Sequence, residues 1–211
     1  MDLKERNQTL KEFFDRKTVG YDDVHIAFME SKRALTESLP DSTAKVLDLG
    51  AGMGLELIPL FERFPEIRVT AADISSDMLG TLMERPFAGQ VTCVIGDFFE
   101  TEFGMDFDAM ISTSALHHFA PEDKVRLYRK VYNALRPGGL FVNSDKTAPD
   151  PAAQENGFRE LAEDPHRWSH MDTPLTVGAE CTVLEQAGFR IREVRPMPNA
   201  GYFLYVAEKT E

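Results

Sequence analysis

Short apolar runs bounded by glycine and proline alternate with segments whose apolar residues recur at helical spacing. That alternation predicts an α/β fold with a mostly parallel sheet. Residues 45–49, Lys-Val-Leu-Asp-Leu, read as the first strand and stop at a glycine cluster. Residues 53–64 carry Leu55, Ile58 and Phe61 on one helical face, and Phe64-Pro65 ends that helix. Strands are expected at 67–72, 91–95 and 107–112, and Ser75 is placed to cap a helix whose first turn holds Asp77. A helix over 121–135 shows the stripe Val125, Tyr128, Val131, Tyr132 and Leu135, and Pro137-Gly138-Gly139 stops it. A strand at 140–144 follows. The next stretch, 146–172, is expected to be irregular, punctuated by Pro149, Pro151, Gly157 and Pro165. A helix over 176–187 closes at Gly188, and strands at 189–195 and 202–208 form an antiparallel pair because their connection is short.

The 211 residues make one domain by length, and 43% hydrophobic with 27% charged residues is ordinary for a globular chain. The expected division is a helical cap over 1–44, a ligand-binding core over 45–145, a lid-like insertion over 146–172, and a C-terminal helix and hairpin over 173–211. Charge adds a constraint: 23 Lys+Arg against 35 Asp+Glu leaves −12, which disfavours a nucleic-acid partner. Lys124, Arg126, Arg129, Lys130 and Arg136 share one predicted helix and read as its solvated outer face. Cys93 and Cys181 form no Cys-x-x-Cys pair, so neither a zinc site nor a redox dithiol is expected there. The charged start of the chain leads into no apolar signal region, and no apolar run reaches membrane-spanning length. The expectation is a cytoplasmic protein without a membrane partner, with a homodimer allowed.

The sharpest chemistry lies in Val46-Leu47-Asp48-Leu49-Gly50-Ala51-Gly52-Met53-Gly54. A strand runs into a glycine-rich turn where backbone can approach a ligand closely. The next strand is followed by Asp73, an acid placed to accept from both hydroxyls of a ribose. A dinucleotide loop would have glycine where Leu55 stands, and Asp48 would repel a pyrophosphate while suiting an ammonium group or an ordered water. S-adenosylmethionine has the ammonium and lacks the pyrophosphate.

At these residues the chain resembles the class I S-adenosylmethionine-dependent methyltransferases, with an acid-x-Gly-x-Gly-x-Gly first motif. Ala72-Asp73-Ile74-Ser75-Ser76-Asp77-Met78-Leu79 resembles the second motif, Gly96-Asp97-Phe98 the third, and Phe107-Asp108-Ala109-Met110-Ile111-Ser112-Thr113 the fourth. Leu135-Arg136-Pro137-Gly138-Gly139-Leu140-Phe141 resembles the turn into the fifth strand. The resemblance implies a Rossmann-like, seven-stranded, mostly parallel sheet with an antiparallel C-terminal strand and helices on both faces. It implies that Asp48, Gly50, Ala51, Gly52, Gly54 and Thr113 surround the methionine end of the donor. Asp73 would hold the ribose, Ile74 and Met78 the adenine, Asp97 the adenine amino group, and Phe98 the ring face. Asp97 read on its own also suits a turn cap, and Met78 a core filler.

The acceptor belongs beyond the carboxyl ends of the strands, near 113–119, 145–172 and the N-terminal cap. By resemblance His117 faces the donor methyl, as general base or as pocket wall, and His118 ties down its loop. Asp145 and Trp168 are further candidate acceptor contacts, with His118, and Arg159 or Arg167 is placed to meet a carboxylate. Tyr21 of the cap is the candidate contact to the donor's methionine end, with His25 beside it. His166-x-x-x-His170 has helical metal-ligand spacing but no evident third ligand, so no metal is expected. The implied reaction is in-line methyl transfer to a small molecule, leaving S-adenosylhomocysteine. Two alternatives remain open, an RNA or protein methyltransferase and a non-catalytic S-adenosylmethionine-binding regulator; a metal-assisted O-methyltransferase would want paired acids at the ends of strands 4 and 5, where only Asp145 is available.

Overall fold

The computed structural model describes residues 3–16, 28–164 and 172–210. Helices α1 (Leu3–Asp15) and α2 (Met29–Glu37) precede an alternating core. That core runs β1 (Lys45–Leu49), α3 (Leu57–Arg63), β2 (Arg68–Asp73), α4 (Ser76–Leu82), β3 (Val91–Ile95), β4 (Phe107–Thr113), α5 (Pro121–Ala134) and β5 (Leu135–Lys146). Helices α6 (Pro151–Glu163) and α7 (Val177–Gln186) then lead to β6 (Arg190–Pro196) and β7 (Tyr202–Glu208). The seven strands form one sheet in the order β3-β2-β1-β4-β5-β7-β6. β7 is antiparallel to both its neighbours, and the pairings from β3 through to β5 are parallel. The mostly parallel sheet with an antiparallel C-terminal strand is therefore as expected.

The side-chain alternation along the strands builds a core on each face. Leu47, Leu49, Met110 and Phe141 pack with Leu127, Tyr128 and Val131 of α5 and Val183 and Leu184 of α7. Val46, Ala109, Ile111 and Val142 pack instead with Leu35 of α2, Leu57 and Leu60 of α3, and Leu82 of α4. Sheet order reverses at β1, where β2 lies on one side and β4 on the other. The crevice at their carboxyl ends is where such a sheet binds ligands.

Four local expectations are corrected. The helix expected over 53–64 begins at Leu57, because residues 50–54 form a turn with Gly50, Gly52 and Gly54 at positive φ. β5 begins at Leu135 rather than at residue 140, with a register shift opposite Phe107–Ala109 that absorbs Pro137-Gly138-Gly139. That segment is anchored from the other side, since the Gly138 N–H donates to the Lys209 carbonyl at 2.8 Å. The stretch 146–172 is not irregular throughout. Asp150 caps α6 by accepting from Ala153 N, and Pro151 sits in the first turn, where the missing N–H costs nothing. One proline read as loop punctuation, Pro151, is the start of a helix.

The fourth correction concerns charge. Lys124 is not on a solvated face: it is 1% exposed, with its Nζ 2.6 Å from Glu180 Oε2. Tyr128 donates a short hydrogen bond to the other Glu180 oxygen, so this polar group pins α5 to α7 inside the core. Lys130 is also drawn inward, donating to the carbonyl of Phe98 at 2.9 Å and to that of Thr101.

Candidate active site

The site is built from the ends of β1, β2, β3 and β4. β1 delivers the chain into residues 50–54, and the Gly50 N–H donates to the Ala72 carbonyl at 2.8 Å, tying the loop to the neighbouring strand. Gly50 has φ +77°, and a Cβ there would lie 2.4 Å from Ala115 Cβ. Only glycine allows both that conformation and that approach.

Asp73, at the end of β2, is held from two sides. Its Oδ2 accepts from Gly52 N and its Oδ1 from Ser75 N, each at 2.8 Å. Burial disfavours its charge more than these hydrogen bonds favour it, and its pKa is pushed up to about 6. Ser75 also caps α4 through Met78 N, as expected from the sequence. Asp97 accepts from Phe99 N at 2.8 Å and from the Asn7 side-chain amide at 2.7 Å.

Between these acids lies a cleft of about 610 Å³. Gly50, Gly52, Asp73, Ile74, Met78, Asp97, Phe98 and Thr113 all line it, so eight of the twelve expected donor contacts meet in one place. Asn7, Leu10 and Phe14 of α1 also line it. Within the expected cap, helices are described at Leu3–Asp15 and Met29–Glu37, but the candidate named in it, Tyr21, lies outside the described residues, as do His25, His166, Arg167, Trp168 and His170. None of Asn7, Leu10 and Phe14 was singled out from the sequence, although with Leu3 they are spaced along one helical stripe that could have pointed to them.

A second cavity of about 340 Å³ shares Gly50, Gly52 and Thr113 with the first and adds Ala51, Lys32 and Glu56. Lys32 Nζ lies 2.9 Å from Glu56 Oε2 and 3.2 Å from Thr113 Oγ1, all three buried. Neither charged residue was singled out from the sequence, because Lys32 lies on a helix 24 residues before Glu56 and only folding joins them. Asp48 sits beneath the loop, fully buried. Burial and the neighbouring Glu56 carboxylate raise its pKa well above the ordinary range. Gly54 packs away from both cavities, and a Cβ there would meet Leu82 Cγ at 2.9 Å.

The two adjacent histidines are arranged oppositely to expectation. His117 Nδ1 is 2.6 Å from Asp145 Oδ1, and its Nε2 is 3.3 Å from Asp172 Oδ1. Burial lowers its pKa, but the Asp145 and Asp172 carboxylates outweigh that and hold it up at about 9. His118, expected to tie down the loop, is the one that lines the cleft, with its ring 5.8 Å from that of Phe14. Asp145 is 2% exposed and accepts from Leu116 N and Lys146 N, so it braces the histidine turn from below. Ser114, a non-glycine residue at φ 55°, lines both cavities and is hydrogen-bonded to Tyr202.

Residues 46–139 match the family described as "Methyltransferase domain". These residues, which carry the glycine turn, Asp73 and Asp97, are similar to that family over somewhat under half of the chain. Over 156 residues the chain is 29% identical to the biotin biosynthesis bifunctional protein BioHC of Teredinibacter turnerae, a match covering 69% of this chain and 26% of that protein. The fold matches the mitomycin 7-O-methyltransferase MmcR with a TM-score of 0.72 at 18% identity, covering 98% of this chain and 59% of that one. It matches human N-acetylserotonin methyltransferase in complex with S-adenosylmethionine with a TM-score of 0.66 at 20% identity, covering 99% and 56%. The chain thus spans about a quarter of the first relative and under two thirds of both structures. Among the described residues no helix is long and apolar enough to cross a membrane.

Proposed function

We propose that the chain binds S-adenosylmethionine in the cleft under α1 and transfers its methyl group to a small molecule by in-line displacement. The observation that carries this is the joining of Asp73, Asp97 and the Gly50–Gly52 backbone around one cleft with apolar walls. The donor set fits the group. Asp73 is placed to accept from the ribose hydroxyls, Ile74, Met78 and Phe98 present flat or flexible apolar surface to the adenine, and Asp97 stands at the adenine edge. Lys32 and Glu56 supply opposite charges in the adjoining cavity, where an amino-acid end carries both a carboxylate and an ammonium.

When bound, S-adenosylmethionine supplies an electrophilic methyl on a sulfonium. The chain's own contribution is positioning: the rigid 50–54 turn and Asp73 fix the donor, and the turn at 114–118 presents the acceptor from the opposite side. His118 lines that end of the cleft, while His117, held by two carboxylates, orients the turn. A small acceptor is supported by the α1 roof, whose Leu10 and Phe14 line the cleft and narrow access to it. The two solved neighbours are named for mitomycin and N-acetylserotonin, and the acidic net charge argues the same way.

Isothermal titration with S-adenosylhomocysteine tests the donor site. Binding to the parent chain and at least tenfold weaker binding by Asp73→Ala are expected; undiminished binding by the variant overturns the assignment.

A further inference from the structure

We propose that His117, His118 and Asp172 form a binding site for one divalent transition-metal ion of the zinc class, open toward the acceptor end of the cleft. His117 and His118 lie on the single turn of helix after β4, and Asp172 lies just before α7. Each offers one ligand atom, and the three atoms lie within 4.8 Å of one another. Asp172 Oδ1 is 3.3 Å from His117 Nε2 and 3.6 Å from His118 Nδ1. Metal–ligand bonds of about 2.0–2.1 Å in a tetrahedron set ligand atoms about 3.3–3.4 Å apart. Two edges of the triangle therefore have nearly the length that a tetrahedral ion requires.

The surroundings are those of a metal site rather than of a plain ion pair. His117 Nδ1 faces Asp145 Oδ1 at 2.6 Å, leaving Nε2 to point at Asp172, which is the carboxylate–histidine–metal arrangement that fixes a ligating imidazole. Asp145 is itself fixed by the backbone N–H groups of Leu116 and Lys146. The Thr173 N–H and hydroxyl both donate to the His117 carbonyl, at 2.8 and 3.1 Å, which locks the segment bearing Asp172 to the histidine turn. Lys146 binds Asp172 through Oδ2 and so leaves Oδ1 directed at the two imidazoles. Two carboxylates against one ammonium leave the local charge suited to a dication. Two nitrogens and one oxygen favour zinc-class ions over magnesium or calcium.

Both histidines are buried, whereas the Asp172 side chain is 31% exposed and His118 also lines the cleft, so the fourth position faces the acceptor space. There the ion would take an acidic hydroxyl of the acceptor. The hydroxyl releases its proton to water, the oxygen lone pair forms the bond to the methyl carbon, and the carbon–sulfur pair stays on sulfur. The ion's oxidation state does not change. This role rests on the methyl-transfer reading; the binding of the ion does not. No local spacing pattern marks this set, because Asp172 lies 54 residues beyond His118.

The test uses the full chain, freed of metal by a chelator and titrated with ZnCl2 and CoCl2 under calorimetry and visible absorption. One ion per chain is expected, with the intense visible bands of tetrahedral Co²⁺. His118→Ala and Asp172→Asn should each weaken binding at least tenfold, and Asp145→Asn by about 10–100-fold. Asp172→Asn does not touch the donor cleft and should keep S-adenosylhomocysteine binding, which reports an intact fold. No stoichiometric binding by the parent chain, or binding equally strong in both ligand variants, overturns the site. A chain that binds zinc this way but no adenosyl ligand supports the metal site while removing the donor reading; the reverse result removes the metal site alone.

Discussion

The Asn7 side-chain amide donates to Asp97 Oδ2 at 2.7 Å, joining the first helix to an acid ninety residues later. The far end of the same helix is fastened as well, because Ser75 Oγ donates to Asp15 Oδ1 at 2.6 Å. Leu10 and Phe14, between these two attachments, form the roof of the cleft. Asn7→Ala removes one attachment and with it about 1 kcal/mol, or roughly fivefold in equilibrium. Faster amide exchange along α1 and severalfold weaker binding of S-adenosylhomocysteine are expected. Unchanged exchange would show that the roof is held by its apolar contacts alone.

Donor binding should depend on pH through Asp73. Its pKa of about 6 in the folded chain lies above the ordinary carboxylate value of 3.8, with burial as the main cause. Between those two values the folded chain binds more protons at this group than the unfolded chain does. The contribution of Asp73 to fold stability therefore falls as pH rises from about 4 to 6. Acceptance from ribose hydroxyls needs the ionised form, so affinity moves the other way. Titrations at pH 7.5 and pH 5 should show about tenfold weaker adenosyl binding at the lower pH. A flat profile would remove Asp73 from the ribose contact.

The buried group Lys124–Glu180–Tyr128 should be expensive to break on one side only. Glu180 is 3% exposed, and Lys124→Ala would leave its carboxylate in the core without its cation. A loss of about 3–5 kcal/mol in unfolding free energy is expected. The double variant Lys124→Met/Glu180→Gln should recover much of it, since no buried charge is then left uncompensated. Denaturant unfolding of both variants measures the difference.

Two glycines should respond in opposite senses. Gly50→Ala drives a methyl group against Ala115 at positive φ and should abolish adenosyl binding or folding. Gly157 sits within α6 with nothing within 4 Å of the position of a Cβ, so Gly157→Ala should raise stability by about 0.5–1 kcal/mol. Thermal unfolding distinguishes the two directly.

Much of this was legible along the chain because it depends on local pattern. The strand at Lys45–Leu49, the cap at Ser75 and the acid at Asp73 follow from periodicity and from residues placed at strand ends, whereas Asp97 was named only through the family resemblance. Pro151 and Gly157 were misread because punctuation is ambiguous: proline in a first turn begins a helix, and an exposed glycine does not end one. Lys124 was misread for a different reason. A cation on a helix is solvated unless a partner is buried opposite it, and Glu180 comes 56 residues later.

By itself, then, the sequence determined the strand-and-helix alternation, the glycine turn and the acid Asp73 at the next strand's end, since each is dictated by neighbours a few residues away. Only the tertiary structure decided which of two adjacent imidazoles enters the cleft. Asp145 and Asp172, 28 and 55 residues beyond His117, hold that ring between them and leave His118 to face the cavity. It also decided that α1 covers the cleft and that Lys32 meets Glu56 in the adjoining cavity. These are pairings between distant segments, formed because a buried charge or donor must find a partner, and no local pattern names that partner.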